Sequence, residues 1–307
     1  MAGNGNTKVL VTGATGMQGG AVVQALLRAE HPVTAFVRNP DSAPAQALAG
    51  QGVALATGDM DDLASLDAAA AGHDVVFSMQ MPGGDPADPG SEQRHARNIA
   101  TAAQRAGVTQ IVHTSVSATG WRSQHPDIKD FFPTMTVYWD GKEAAEEAIR
   151  QSGLEHWTIF KPAFYMENFL GARQAFMFPE LPQGELITAT SPQTKLALIN
   201  ADDFGAAVAA AVAEPAKFHE AEIDLAGDAL TYPEIAEALS KAAGREITNV
   251  SISRQEQEQR NAVMVDSHVW TDRVGYPARP HHAARYGLTT TTFEQWAARQ
   301  DRTFLAG

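Results

Sequence analysis

Val9-Leu10-Val11-Thr12-Gly13-Ala14-Thr15-Gly16-Met17-Gln18-Gly19-Gly20 is the stretch on which the reading of this chain turns. An apolar run ends in three glycines at GxxGxxG spacing, and Val22, Val23, Leu26 and Leu27 then recur at helical intervals. The pattern predicts a strand, a tight turn and a helix. One glycine permits a sharp turn, another lets the backbone approach a pyrophosphate, and the last lets the helix pack close to the sheet. Helix N-terminal N–H groups would then face the phosphates. Gly13, Thr15, Gly16, Met17, Gln18 and Gly19 are the expected contacts.

Outward from this unit, short apolar runs alternate with helical patterns. Strands are expected at Val33 to Val37, Val53 to Ala56, Asp74 to Phe77, Ile111 to His113 and Trp157 to Phe160. Helices are expected at Ser91 to Arg105 and Gly141 to Gln151. Such alternation implies βαβ units, and so an α/β fold with a doubly wound parallel Rossmann sheet. The alternation loosens after Pro162, where Pro179, Pro182 and Pro192 suggest loops with short elements. A helix at Asp202 to Ala213, a strand at Glu222 to Leu225 and a helix at Tyr232 to Ala243 follow. The end of the chain reads as polar and irregular with short helices. The expected division is a dinucleotide-binding domain over 1–162, to which 200–226 returns, and a smaller C-terminal α/β substrate domain from 163–199 and 227–307.

Composition removes several function classes. A net charge of −13 argues against a nucleic-acid footprint, which needs clustered Lys and Arg. With no cysteine there is no disulfide, thiolate metal site or cysteine nucleophile, and a reducing cytoplasm is the expected setting. Ten histidines include one adjacent pair, His281-His282, and adjacent residues seldom chelate one ion, so no metal site is expected. No G-x-S-x-G elbow supports a serine hydrolase. Met1 to Asn6 lacks a signal-peptide pattern, and the alanine-rich run Ala206 to Ala213 is too short to span a bilayer. A small-molecule substrate is expected, while a homodimer or a protein partner is left open.

The end of the second strand indicates which nucleotide. NAD sites usually carry an acidic residue there to hold the ribose 2′-hydroxyl. Here the place is held by Arg38, whose planar donors suit a 2′-phosphate, so NADP(H) is the expected cofactor.

The motif TGATGMQGG resembles the N-terminus of the NmrA-like family, atypical members of the short-chain dehydrogenase/reductase superfamily. Val37-Arg38-Asn39-Pro40, Gly58-Asp59-Met60-Asp61-Asp62, Trp139-Asp140-Gly141-Lys142 and Lys161-Pro162-Ala163-Phe164-Tyr165-Met166-Glu167-Asn168 agree with it. The resemblance implies adenine contacts at Asp59 and Met60. It implies a nicotinamide-ribose wall at Met79, Gln80 and Met81, and cofactor contacts at Pro162 and Phe164. Asp59 also fits as the cap of a helix over Asp61 to Asp67. The superfamily's Tyr-x-x-x-Lys is matched by Tyr138 and Lys142, which share a face if one helix carries both. A nearby Lys⁺ then lowers the tyrosine pKa, making Tyr138 a general acid and Lys142 a ribose contact. In the opposing reading Asp140 and Glu143 cap a helix that starts at Gly141, leaving Tyr138 outside. Ser115 and Ser117 are both candidates for the hydroxyl facing the substrate. Trp121, Trp139, Tyr165 and Asn168, with Phe164, are the expected pocket wall.

The implied function is an NADPH-dependent oxidoreductase passing hydride to a carbonyl, quinone or related acceptor. Two alternatives stay open: an NADP(H)-sensing regulator without turnover, and a redox-neutral relative with tightly held cofactor.

Overall fold

The computed structural model describes residues 7–81, 88–128 and 133–301, with the side chains of 133–136 excepted. Met1 to Asn6, the stretch without a signal-peptide pattern, lie outside the described residues. The chain forms two compact units. The first is Met1–Thr119, Val137–Lys161 and Phe204–Ile223; the second is Gly120–Thr136, Pro162–Asp203 and Asp224–Gly307. Residues 120–136, expected in the first domain, therefore group with the second unit.

The first unit is built on β1 (Val9–Thr12), β2 (Val33–Val37), β3 (Ala54–Thr57), β4 (Val75–Ser78), β5 (Gln110–Thr114) and β6 (His156–Pro162). With Ala221–Leu225 they form a seven-stranded sheet in the order Ala221–Leu225, β6, β5, β4, β1, β2, β3. β1 to β6 pair in parallel throughout. The order reverses between β1 and β4, which is where a doubly wound sheet opens its crevice. Parallel strands are covered on both faces, which is why their sequences are continuous apolar runs.

One face buries Leu10, Val76, Ile111 and Ile159 with Ala96, Ile99, Ala145 and Ile149 from the helices Ser91–Arg105 and Pro133–Arg150. On the other face Phe204, from the helix Ala201–Ala213, meets Phe77 and Phe160 edge-on at 6.1 and 6.3 Å. A Cβ on Gly205 of that helix would lie 2.4 Å from Ala21 O, so only glycine lets it close on the helix Met17–Arg28.

Three expectations change. The helix expected at Gly141 begins by Pro133 and runs through to Arg150, so Tyr138 lies inside it. Burial of Trp139 (1% exposed) outweighs the local cap pattern at Asp140 and the roughly 1 kcal/mol cost of Gly141. Asp59 does not cap the following helix: the cap of Leu63–Ala70 is Asp62, whose Oδ1 accepts the Ala64 N–H at 3.0 Å.

The third change concerns the second unit, which is more regular than its polar sequence suggests. Lys195–Ile199 pairs in parallel with Phe164–Tyr165 and antiparallel with Asp228–Thr231, and Glu185–Thr188 pairs in parallel with Thr248–Ser251. A 20-residue helix, Arg254–Arg273, enters through a Ser253/Glu256 capping box and is interrupted at Asn261. The core of this unit gathers Phe164, Phe169, Phe178 and Phe293, with Phe169 stacked on Phe178 at 4.9 Å.

Each unit buries a histidine in neutral form. His113 on β5 is fully buried, its Nδ1 3.2 Å from Ser78 Oγ, and burial pushes its pKa down to about 3. His268 is 2% exposed, its Nδ1 accepts the Ala189 N–H at 3.2 Å, and burial pushes its pKa down to about 4. The unfolded chain takes up these protons near pH 6.5, and the folded chain does so only well below that. Stability therefore falls as pH drops from about 6.5 toward 4, by up to about 1.4 kcal/mol per pH unit for each histidine. Urea midpoints between pH 7 and 4.5 should show this slope, and His113→Asn should roughly halve it, leaving the part due to His268. An unchanged slope in that variant would remove His113 as the cause. Glu222 and Asp61, both held down to about 2 by ion-pair partners, act in a separate and lower window.

Candidate cofactor and proton-transfer site

The glycine loop adopts the expected turn. Gly13 has φ +66°, and the Gly16 N–H closes the turn on Gly13 O at 3.0 Å. The helix Met17–Arg28 starts without a side-chain cap, so its first N–H groups are left for a ligand. A Cβ on Gly19 would stand 2.2 Å from Gly13 O, so the helix sits on the turn only because residue 19 has no side chain. Two side chains tie the loop to its neighbours. The Thr12 hydroxyl accepts the Met79 N–H at 2.8 Å and lies 3.0 Å from Met79 O. Thr114 Oγ1 donates to Gln18 Oε1 at 3.0 Å.

A cleft of about 350 Å³ opens beside this loop. Of the expected contacts, Gly13, Thr15, Gly16, Arg38, Asp59, Met60, Met79 and Met81 line it. Met17, Gln18, Gly19 and Gln80 do not: Gly19 is packed under the turn, and Gln80 is 2% exposed with its Nε2 donating to Ser78 Oγ at 2.7 Å. Arg38 is exposed at the cleft. Asp59 Oδ1 accepts the Asp61 N–H at 2.9 Å, which shapes the loop after β3. Phe36 and His95, not singled out from the sequence, also line the cleft, as does Asp61, which with Asp62 reads from the sequence as a solvated face. Asp61 is paired with Arg94 at 2.7 Å and His95 at 3.1 Å, and these partners, Arg94 foremost, hold its carboxyl down to about 2.

The residues present fit a dinucleotide. The turn approaches its surroundings where a Cβ would not fit, uncapped N–H groups open the helix, and a guanidinium borders the same cleft.

The helix Pro133–Arg150 carries Tyr138, Lys142, Glu146 and Arg150 at successive i,i+4 positions on one stripe. Lys142 Nζ is 5.8 Å from the centre of the Tyr138 ring. It is also 2.5 Å from Glu92 Oε1, in an ion pair whose side chains are 7% and 2% exposed. Here the expected electrostatics reverse. Burial, followed by the Glu92 charge, pushes the Tyr138 hydroxyl above its ordinary value, where Lys142 was expected to lower it.

The Ser115 hydroxyl donates to Glu146 Oε1 at 2.6 Å. Glu146 Oε2 is held by Arg150 Nη2 at 2.8 Å and Lys161 Nζ at 3.0 Å, and both cations also reach Glu222 at 2.6 Å. Ser115 is thus spent on a buried ionic network. Ser117 is fully buried, and Ala118 after it has φ +78°, a strained value for a residue with a Cβ.

The expected pocket residues divide. Trp139 is 1% exposed and packs edge-on with Tyr138 at 5.2 Å. Trp121, Pro162, Phe164, Tyr165 and Asn168 belong to the second unit, where Phe164 joins the aromatic core. Glu92 was missed by sequence reading, and Glu146, which with Glu147 reads from the sequence as a solvated helix face, is 1% exposed. Glu146 was findable as the next step of the Tyr138–Lys142 stripe, whereas Glu92 lies fifty positions before its partner with no local signal. Among the described residues no group of three His, Asp or Glu could hold a metal ion, and no helix is long and apolar enough to cross a membrane.

Residues 5–278 match the model of the NmrA-like family. The chain is 33% identical to NAD(P)H azoreductase of Xenophilus azovorans, over 82% of this chain and 79% of that protein. It is 27% identical to NADPH-dependent quinone oxidoreductase of Escherichia coli, solved in complex with NADPH, with a TM-score of 0.73 and coverage of 94% of this chain and 98% of that one. NmrA, a negative transcriptional regulator solved with NADP, shares the fold at 20% identity, with a TM-score of 0.75 over 96% of this chain and 95% of that one. With its glycine loop, parallel sheet and Arg38-bordered cleft, the chain belongs to the NmrA-like family.

Proposed function

We infer that this protein is an NADPH-dependent reductase of a small carbonyl, quinone, azo or related acceptor. The observation that carries the reading is the cleft joining the glycine loop to Arg38 and Asp59. Gly13, Gly16 and the first N–H groups of Met17–Arg28 hold the diphosphate, and Arg38 pairs with the 2′-phosphate. When bound, the dinucleotide supplies the hydride. Tyr138 gives its phenolic proton to the acceptor atom that gains negative charge. Of the two hydroxyl candidates after β5, Ser115 is engaged by Glu146. The acceptor is a small molecule, and the cytoplasm is the compartment that fits the cofactor and the absence of cysteine.

A second reading is an NADP(H) sensor without turnover, acting through a protein partner or a second copy. One observation favours it: Tyr138 is not activated by Lys142.

Calorimetric titration with NADPH and NADH, followed by NADPH oxidation with quinones, azo dyes, ketones, aldehydes and imines, tests both. NADPH is expected to bind more tightly and to be consumed. Arg38→Ala should weaken NADPH by about tenfold to a hundredfold while barely changing NADH, since a charge-assisted pair contributes roughly 1.5–3 kcal/mol. Equal losses for both nucleotides would detach Arg38 from the 2′-phosphate. Binding with no consumption across the panel would select the sensor.

A further inference from the structure

We propose that Glu92 is a positioning residue of the reduction: its carboxylate keeps the Lys142 ammonium to itself, so that Tyr138 meets the acceptor as a neutral phenol throughout the working pH range. The inference rests on the reading of Tyr138 as proton donor and adds the group that decides its protonation state.

The geometry carries it. Glu92 sits in the first turn of Ser91–Arg105, where the helix end favours an anion, and its side chain is 2% exposed. A carboxylate so buried must be paired, and Lys142 is the cation within reach at 2.5 Å. Gly141 makes room for it, since a Cβ there would stand 3.2 Å from Glu92 Oε2. The Lys142 ammonium is therefore in contact with a carboxylate and 5.8 Å from the centre of the tyrosine ring. The carboxylate beside it offsets the ammonium charge, so Lys142 does not favour the phenolate. Among the described residues, Lys142 is the cation that stands against the Tyr138 ring. Asp140 and Glu143 on the same helix are acidic, and His113 on β5 is held neutral by burial.

A lysine left unpaired would pull the phenol toward phenolate, which cannot donate. Carbonyl, quinone and azo acceptors yield an oxyanion or nitrogen anion when hydride arrives, so a donor lost to ionisation is a direct cost. Neutralising Lys142 keeps the proton where the reaction needs it.

The test is the pH dependence of kcat/KM for duroquinone at saturating NADPH, which reports the essential groups of the form that meets the acceptor. The wild-type protein should show no falling limb up to about pH 10, given a tyrosine already above its ordinary value of about 10. Glu92→Gln keeps a hydrogen-bond acceptor for Lys142 but removes the charge. It should bring in a falling limb at lower pH than any in wild type, losing about tenfold per pH unit above its inflection. Adding Lys142→Met to that variant should abolish the new limb. A Glu92→Gln profile that matches wild type, with Tyr138→Phe inactive, overturns the role of Glu92 and leaves the proton donor standing. Full turnover by Tyr138→Phe overturns the donor itself. If Glu92→Gln does not fold, the 295 nm absorbance titration of wild type minus Tyr138→Phe decides. No phenolate from Tyr138 below about pH 10 is expected, and a midpoint below about 9 overturns the proposal.

Discussion

Tyr138→Phe should lower kcat/KM for acceptor reduction by about 10²- to 10⁴-fold, the usual contribution of a positioned general acid, and leave NADPH affinity unchanged. The substitution removes one oxygen and little else. Phenylalanine can keep the edge-on packing against Trp139 at 5.2 Å and the ring beside Lys142 at 5.8 Å, so the helix and the Glu92–Lys142 pair should persist. The loss should be larger for a ketone than for a quinone. An alkoxide is a far stronger base than a hydroquinone anion, so its transition state leans harder on the donor. Steady-state rates with both acceptors, beside a calorimetric NADPH titration, give the answer. Wild-type turnover in the phenylalanine variant would leave this tyrosine without a chemical role.

Gly19→Ala should be the most damaging single-methyl change in the glycine loop. The added Cβ would meet Gly13 O at 2.2 Å, Gly13 C at 2.5 Å and Ala14 N at 2.9 Å. All three are backbone atoms that cannot rotate away, so the helix must lift off the turn. Overpacking of this kind costs about 1–3 kcal/mol and sometimes more. Because the same turn carries the N–H groups proposed to hold the diphosphate, NADPH affinity should fall at least about tenfold, the equivalent of roughly 1.4 kcal/mol. Gly20→Ala is the matched control. Its Cβ would stand 3.5 Å from Ala14 O, an ordinary contact, and alanine suits a helix better than glycine by about 1 kcal/mol. Urea midpoints and NADPH titrations of the two variants should diverge. Equal stability and affinity in both would contradict the close approach at residue 19.

Much of the first unit was legible because its signals are local. A parallel strand buried on both faces must be apolar along its length, and Val33 to Val37 and Ile111 to His113 announce themselves that way. The glycines of 13–19 answer a steric demand of the turn itself, and Arg38 follows from its distance beyond them. In the second unit the same reasoning had less to hold. Glu185–Thr188 and Thr248–Ser251 are four residues each, and they find each other across sixty positions. The polar opening of Arg254–Arg273 reads as an exposed helix and gives no local sign that its continuation buries Met264, Val265, His268 and Trp270.

From the order of its residues alone, then, come a doubly wound nucleotide-binding fold, a glycine turn after its first strand, an arginine at the end of its second and a tyrosine and lysine four residues apart. Only the tertiary structure decided that the helix carrying them starts before Tyr138, that Ser115 is spent on Glu146, and that Glu92 claims Lys142. The physical reason is range. Turn sterics and strand burial act between neighbours in the chain, whereas the charge state of a buried group is set by whichever partner folding brings within about 3 Å of it.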